Sequence, residues 1–131
     1  MTGRQRGLLA VGAAALVGVG VWMALRGAAA PTVRVPALSP IGQAGQVAFQ
    51  RHCGSCHGEV AQGTATGPPL VHVIYRPGHH ADIAFELAVR RGAPAHHWRF
   101  GDMPPQPTVP DGEVGPITQF VRELQRANGI D

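Results

Sequence analysis

The pentad Cys53-Gly54-Ser55-Cys56-His57 constrains this chain more than any other feature. It contains both cysteines of the 131-residue sequence, with a histidine immediately after the second. The two thiols are about one helical turn apart. A disulfide between them would close a very small loop. A thioredoxin-like redox pair would want a βαβ context, which the surrounding pattern lacks. A zinc site would need Cys53, Cys56 and two of the seven histidines.

The spacing has a different physical reading as a c-type haem attachment pattern. Thiols one turn apart can each add to a vinyl group of a porphyrin, giving two thioethers. The next residue, His57, then carries its imidazole over the ring to bind iron on the proximal face. The expected cofactor is one covalent haem c, with Cys53 and Cys56 as thioether residues and His57 as an axial ligand. This reading outranks the zinc site because the chain also carries an export signal and a matching downstream pattern.

That signal is Leu8 to Leu25, LLAVGAAALVGVGVWMAL, with Arg4 and Arg6 before it and Arg26 after it. As a helix it would be about 27 Å long, near the roughly 30 Å of a hydrocarbon core. The length favours a retained anchor, with residues 8–25 in the membrane and the haem domain on the periplasmic side. The alternative is a signal peptide cut within Gly27–Ala30, leaving a soluble periplasmic protein. The expected organisation is 1–30 signal-anchor or signal peptide, 31–41 Pro-rich linker, and 42–131 haem domain. The linker, PTVRVPALSPI, reads as extended chain of roughly 3 Å per residue.

The formal charge of +3 does not signal a basic protein. All eleven basic residues are arginine, and three of them flank the export segment. The remaining eight balance the eight acidic residues. Nucleic-acid binding therefore has no electrostatic footprint here.

Three helices are expected after the linker. The first runs from about Gly42 to Cys56. The second runs from about Ala81 to Arg91, with Ile83, Leu87 and Arg90/Arg91 on one side and Gly92 as its stop. The third lies within Val114 to Ala127, where Ile117, Phe120, Val121 and Leu124 share a face. Pro116 is expected in its first turn, with the regular helix starting near Gly115. No segment alternates as a strand, so the fold class is all-α with long loops. Only six aromatic residues follow residue 31, too few for a core of this size, and a haem would supply the missing apolar mass.

Met103 is the only methionine after the export segment. Its setting, Gly101-Asp102-Met103-Pro104-Pro105, is an extended loop able to aim a side chain at iron. His96 and His97 are the rivals for the sixth position, and His72, His79 and His80 are more distant candidates.

Taken together these residues resemble the class I cytochrome c family, the monohaem c-type cytochromes, of an exported or membrane-anchored bacterial type. The likeness spans about Ile41 to Gly129. Gly45 and Phe49 are similar to the N-terminal helix positions that pack against the C-terminal helix, here at Phe120 and Leu124. Gly67-Pro68-Pro69-Leu70 resembles the family's Gly-Pro-x-Leu turn, which implies that the Pro68 carbonyl accepts the Nδ1–H of His57. Met103 before proline resembles the distal ligand loop. Tyr75 and Trp98 are candidates for bonds to haem propionates, while Ala93–Trp98 and Pro116 depart from the family pattern.

The resemblance implies a cytochrome c fold of three main helices and long loops around one haem, preceded by the N-terminal hydrophobic helix. It implies an electron carrier rather than an enzyme, cycling Fe(II)/Fe(III) in a respiratory or photosynthetic chain. Redox partner proteins would dock at the haem edge, and the chain would be a monomer or a subunit of a membrane complex. Alternatives are a fixed haem subunit of a larger membrane oxidoreductase and a haem enzyme, either a peroxidase or a sulfur-compound oxidase.

Overall fold

The structure, a computed structural model, describes residues 32–131. The expected hydrophobic helix at residues 8–25 lies outside the described residues. Among those described, no helix is long and apolar enough to cross a membrane.

Among the described residues, four α-helices and one 3-10 turn make up the regular structure: α1 Pro40–His52, α2 Gly54–His57, the 3-10 turn Val73–Tyr75, α3 Asp82–Arg91 and α4 Asp111–Ala127. The described residues hold no strand, and one isolated antiparallel bridge pairs Ala93 with Met103. The all-α expectation with long loops holds. The expected first helix is broken at Cys53, whose φ of −121° ends α1 and starts the single turn of α2.

α1 begins where Ser39 caps it, its Oγ accepting from Gly42 N–H at 3.0 Å. It packs across α4 as expected from Gly45, Phe49, Phe120 and Leu124. Gly45 is required at the crossing, because a Cβ there would stand 1.9 Å from the carbonyl oxygen of Pro116. The rings of Phe49 and Phe120 meet at 5.4 Å in a tilted pair, both fully buried. Such a pair contributes about 0.5–1.5 kcal/mol beyond its burial. Glu123 of α4 ties down the start of α1 through Ser39 N–H (3.0 Å) and Ser39 Oγ–H (2.6 Å).

Two sequence expectations need correction. α4 starts at Asp111, four residues before Gly115, and Pro116 lies inside it. Tertiary contacts hold the added turn: Arg90 of α3 binds the Val109 carbonyl at 2.8 Å and the Asp111 carboxylate at 2.6 Å, and Val114 is buried. These offset the backbone bond that Pro116 cannot make. In α3 the inward residues are Val89, which is buried, and Phe85, which packs on the core. Ile83 and Leu87, expected on one side of this helix, are both exposed, at 62% and 41%.

Residues 32–39 form no helix or strand, and the segment does not run free. Arg34 N–H donates to Asn128 Oδ1 at 3.0 Å, and Asn128 Nδ2 donates back to the Arg34 carbonyl at 2.9 Å. Val33 and Leu38 rest on the core. The segment is fastened along the end of α4.

Candidate functional site

The pentad sits where α1 ends and α2 begins. His57 closes α2 and is 9% exposed. Beyond it the chain folds back, with Gly63 N–H bound to the His57 carbonyl at 2.7 Å and Thr64 Oγ–H to the Cys56 carbonyl at 2.6 Å. This return brings Gly67-Pro68 against the pentad so closely that a Cβ on Gly67 would stand 2.6 Å from the Cys56 carbonyl oxygen. The Pro68 carbonyl then lies 2.8 Å from His57 Nδ1.

A carbonyl only accepts, so Nδ1 carries the ring proton and Nε2 keeps its lone pair. Burial lowers the pKa of His57 below the ordinary histidine value, against the opposing pull of the Pro68 bond. The ring is therefore neutral at neutral pH and available as a ligand. Cys53 is half-buried, and burial together with the neighbouring Cys56 pushes its thiol up to about 11. It is not a stabilised thiolate of the kind that redox or nucleophilic cysteines need. Cys56 is exposed, and the two cysteines are not joined in a disulfide.

Met103 reaches the same region from the other end of the domain. Gly92 ends α3 with a φ of +74°. A Cβ at that position would lie 2.4 Å from the Met103 carbonyl oxygen, so the turn needs glycine. Ala93 and Met103 then exchange both backbone bonds, at 3.0 and 2.9 Å. They close a hairpin, residues 93–103, that Asp102 steadies by accepting from Ala95 N–H at 2.8 Å.

Cys53, His57, Pro68 and Met103 all line one cavity of about 380 Å³. Its walls are mainly apolar and include Phe49, Leu70, Phe85, Leu87 and Phe100. Leu87 and Phe100 are 41% and 40% exposed, so a flat apolar group in the cavity would cover them. Two polar groups also look into it. Trp98 Nε1–H is buried without a hydrogen-bond partner. The Tyr75 phenol is protonated at neutral pH, and burial raises its pKa further against the lowering effect of Trp98. Both can donate to an acidic substituent at the edge of such a group. The donor set of thiols, imidazole and thioether, the apolar walls and the orphaned indole N–H together fit a haem.

A protein-family model described as Cytochrome c matches residues 42–125. The chain belongs to the cytochrome c family. Family members bind haem c and carry electrons, typically as exported proteins, and the helical fold agrees with that membership. Comparison with curated proteins and with solved structures finds no match.

Sequence reasoning missed the residues that hold the far wall of this cytochrome c domain. Arg122 is 4% exposed and Gln125 fully buried, one helical turn apart on α4. Arg122 donates from Nε to Asp82 at 2.7 Å and from Nη1 to the Tyr75 carbonyl at 2.6 Å, and from Nη2 to the His80 carbonyl. Gln125 Nε2 donates to the carbonyls of Leu70 (2.8 Å) and Tyr75 (3.1 Å). Together they satisfy the buried backbone of the loop that presents Leu70, Tyr75 and His80 to the cavity. The available signal was positional: Val114, Thr118, Val121 and Gln125 continue the apolar face of α4 at helical spacing.

Proposed function

We propose that this domain is a single-electron carrier in which Cys53 and Cys56 would hold one haem c by thioethers and His57 Nε2 and Met103 Sδ would bind its iron. The bond from His57 Nδ1 to the Pro68 carbonyl carries the reading, because it presents Nε2 unprotonated to a mainly apolar cavity that Met103 also lines. A haem bound there would supply an iron that cycles between Fe(II) and Fe(III).

The chain's own residues do the rest. Pro68 orients the proximal imidazole and raises its donor strength. The hairpin closed at Ala93–Met103 delivers a thioether, which stabilises the reduced state. The apolar walls limit water, so little solvent reorganises on each transfer. Tyr75 and Trp98 are the donors for haem propionates.

His96 and His97 also line the cavity, but both are exposed, whereas Met103 is half-buried. This supports Met103 as the sixth ligand. The wider assignment follows the sequence: a role in a respiratory or photosynthetic chain, a tether at residues 8–25, the domain on the periplasmic side, and docking of redox partners at the haem edge. A monomer and a subunit of a membrane complex are both compatible with it.

The test is intact mass and absorption of the purified holoprotein. One haem added through both cysteines is expected, with the long-wavelength sulfur-to-iron band of the oxidised state. Met103→Ala should keep the haem, lose that band, lower the reduction potential and admit cyanide. An unchanged spectrum in Met103→Ala would assign the sixth position to another residue.

A further inference from the structure

Four histidines meet where two loops approach each other, and three of them, His80, His96 and His97, also line the cavity. His79 and His80 precede α3, and His96 and His97 belong to the hairpin 93–103. His79 Nε2 lies 3.3 Å from His97 Nε2. Ring nitrogens of His79, His80 and His97 all fall within 4.8 Å of one another. The rings of His96 and His97 are 4.2 Å apart. Among the described residues, none of the four is ion-paired with a carboxylate, and the haem reading uses none of them as a ligand.

Two of these rings are set by backbone carbonyls. His80 Nδ1 lies 2.8 Å from the Ile74 carbonyl, and His96 Nδ1 lies 2.7 Å from that of Pro94. Each carbonyl fixes the proton on Nδ1 and leaves Nε2 with its lone pair. Metal-binding histidines are commonly held in this way. The His80 loop is itself anchored by Arg122 of α4.

We propose that His79, His80 and His97 form a binding site for one divalent late transition-metal ion of the zinc or copper class. Nitrogens about 2.1 Å from a tetrahedral ion are about 3.4 Å apart, close to the His79–His97 separation. Small rotations of the exposed His79 and His97 rings close the remaining distances. Imidazole donors without carboxylate oxygens suit zinc, copper or nickel rather than magnesium or calcium. His79 and His97 are solvent-exposed, so water completes the coordination. The His96 ring lies tilted against that of His97, at 49° between their planes. The bound ion would staple the hairpin that ends at Met103 to the loop before α3.

The test uses holoprotein purified without a histidine tag, stripped with chelator and titrated with zinc chloride in a calorimeter. One ion per chain is expected. His79→Ala and His97→Ala should each weaken binding at least about 100-fold, whereas His52→Ala, outside the cluster, should not. Haem absorption should be unchanged in His79→Ala, whose side chain is not part of the cavity lining. Zinc should also slow trypsin cleavage after the exposed Arg99. X-ray absorption at the zinc edge of the wild-type complex should show scattering from three imidazoles, a readout that needs no variant. Equal zinc affinity in wild type and the His79→Ala/His97→Ala double variant would overturn the site, as would one imidazole or none at the zinc edge.

Discussion

Gly45→Ala provides a sharp test of how α1 and α4 are joined. In an isolated helix this change gains about 1 kcal/mol. Here the new methyl would stand 1.9 Å from the Pro116 carbonyl oxygen and 3.0 Å from Phe120 Cβ. The first distance is more than about 1 Å short of van der Waals contact, and the obstructing atom is backbone. The helices must therefore separate, loosening the Phe49–Phe120 pair beside the contact. Overpacking costs typically about 1–3 kcal/mol. A backbone obstruction puts this case near the upper end, leaving a net loss of about 2 kcal/mol after the helix gain. For a domain of about 100 residues that lowers Tm by about 8–16 °C. The assay is thermal unfolding of the holoprotein followed by far-ultraviolet circular dichroism. Gly115→Ala is the control, because a methyl there has nothing within 4 Å and should raise Tm by a few degrees. If both variants raise Tm alike, the close crossing is wrong.

Three further outcomes follow from the polar groups and the pentad. Arg122→Met should destabilise the domain by about 2–4 kcal/mol, because it strips the His80 carbonyl and the buried Gln125 Oε1 of their donor; denaturant titration measures it, and a loss under about 0.5 kcal/mol would refute the role assigned to Arg122. Burial alone would raise the pKa of Glu123, but hydrogen bonds from Ser39 and Gln119 and the nearby Arg126 outweigh it and leave the carboxyl below its ordinary value. The unfolded chain then takes up this proton first, so the stability Glu123 supplies is present above its unfolded pKa of about 4.5 and is lost as pH falls through the folded value. Acid titrations of wild type and Glu123→Gln should differ at neutral pH and converge at low pH, and parallel curves would refute the linkage. Cys53→Ala with Cys56→Ala should abolish haem that survives denaturing electrophoresis, and a persisting haem stain would contradict thioether attachment.

The local chemistry was legible in the sequence because it depends on near neighbours. The spacing of Cys53, Cys56 and His57 is a property of one helical turn, and the stripe Ile117, Phe120, Val121, Leu124 is a property of one helix. The Pro104 setting of Met103 could likewise be read from backbone preferences, whereas the Gly67-Pro68 turn was legible through its resemblance to the family's Gly-Pro-x-Leu turn. What only the tertiary structure decided involves groups distant in the chain. Pro116 lies inside α4 because Arg90 of another helix holds the preceding turn, a contact that no local preference encodes. Arg122 and Gln125 look like ordinary polar residues until the folded loop presents its unpaired carbonyls to them. His79 and His80 are sixteen or more residues from His96 and His97, and only the closure of the 93–103 hairpin brings their nitrogens together. Sequence spacing registers what a single turn can hold, whereas the partners of buried donors and the meeting of two loops depend on how the whole chain closes.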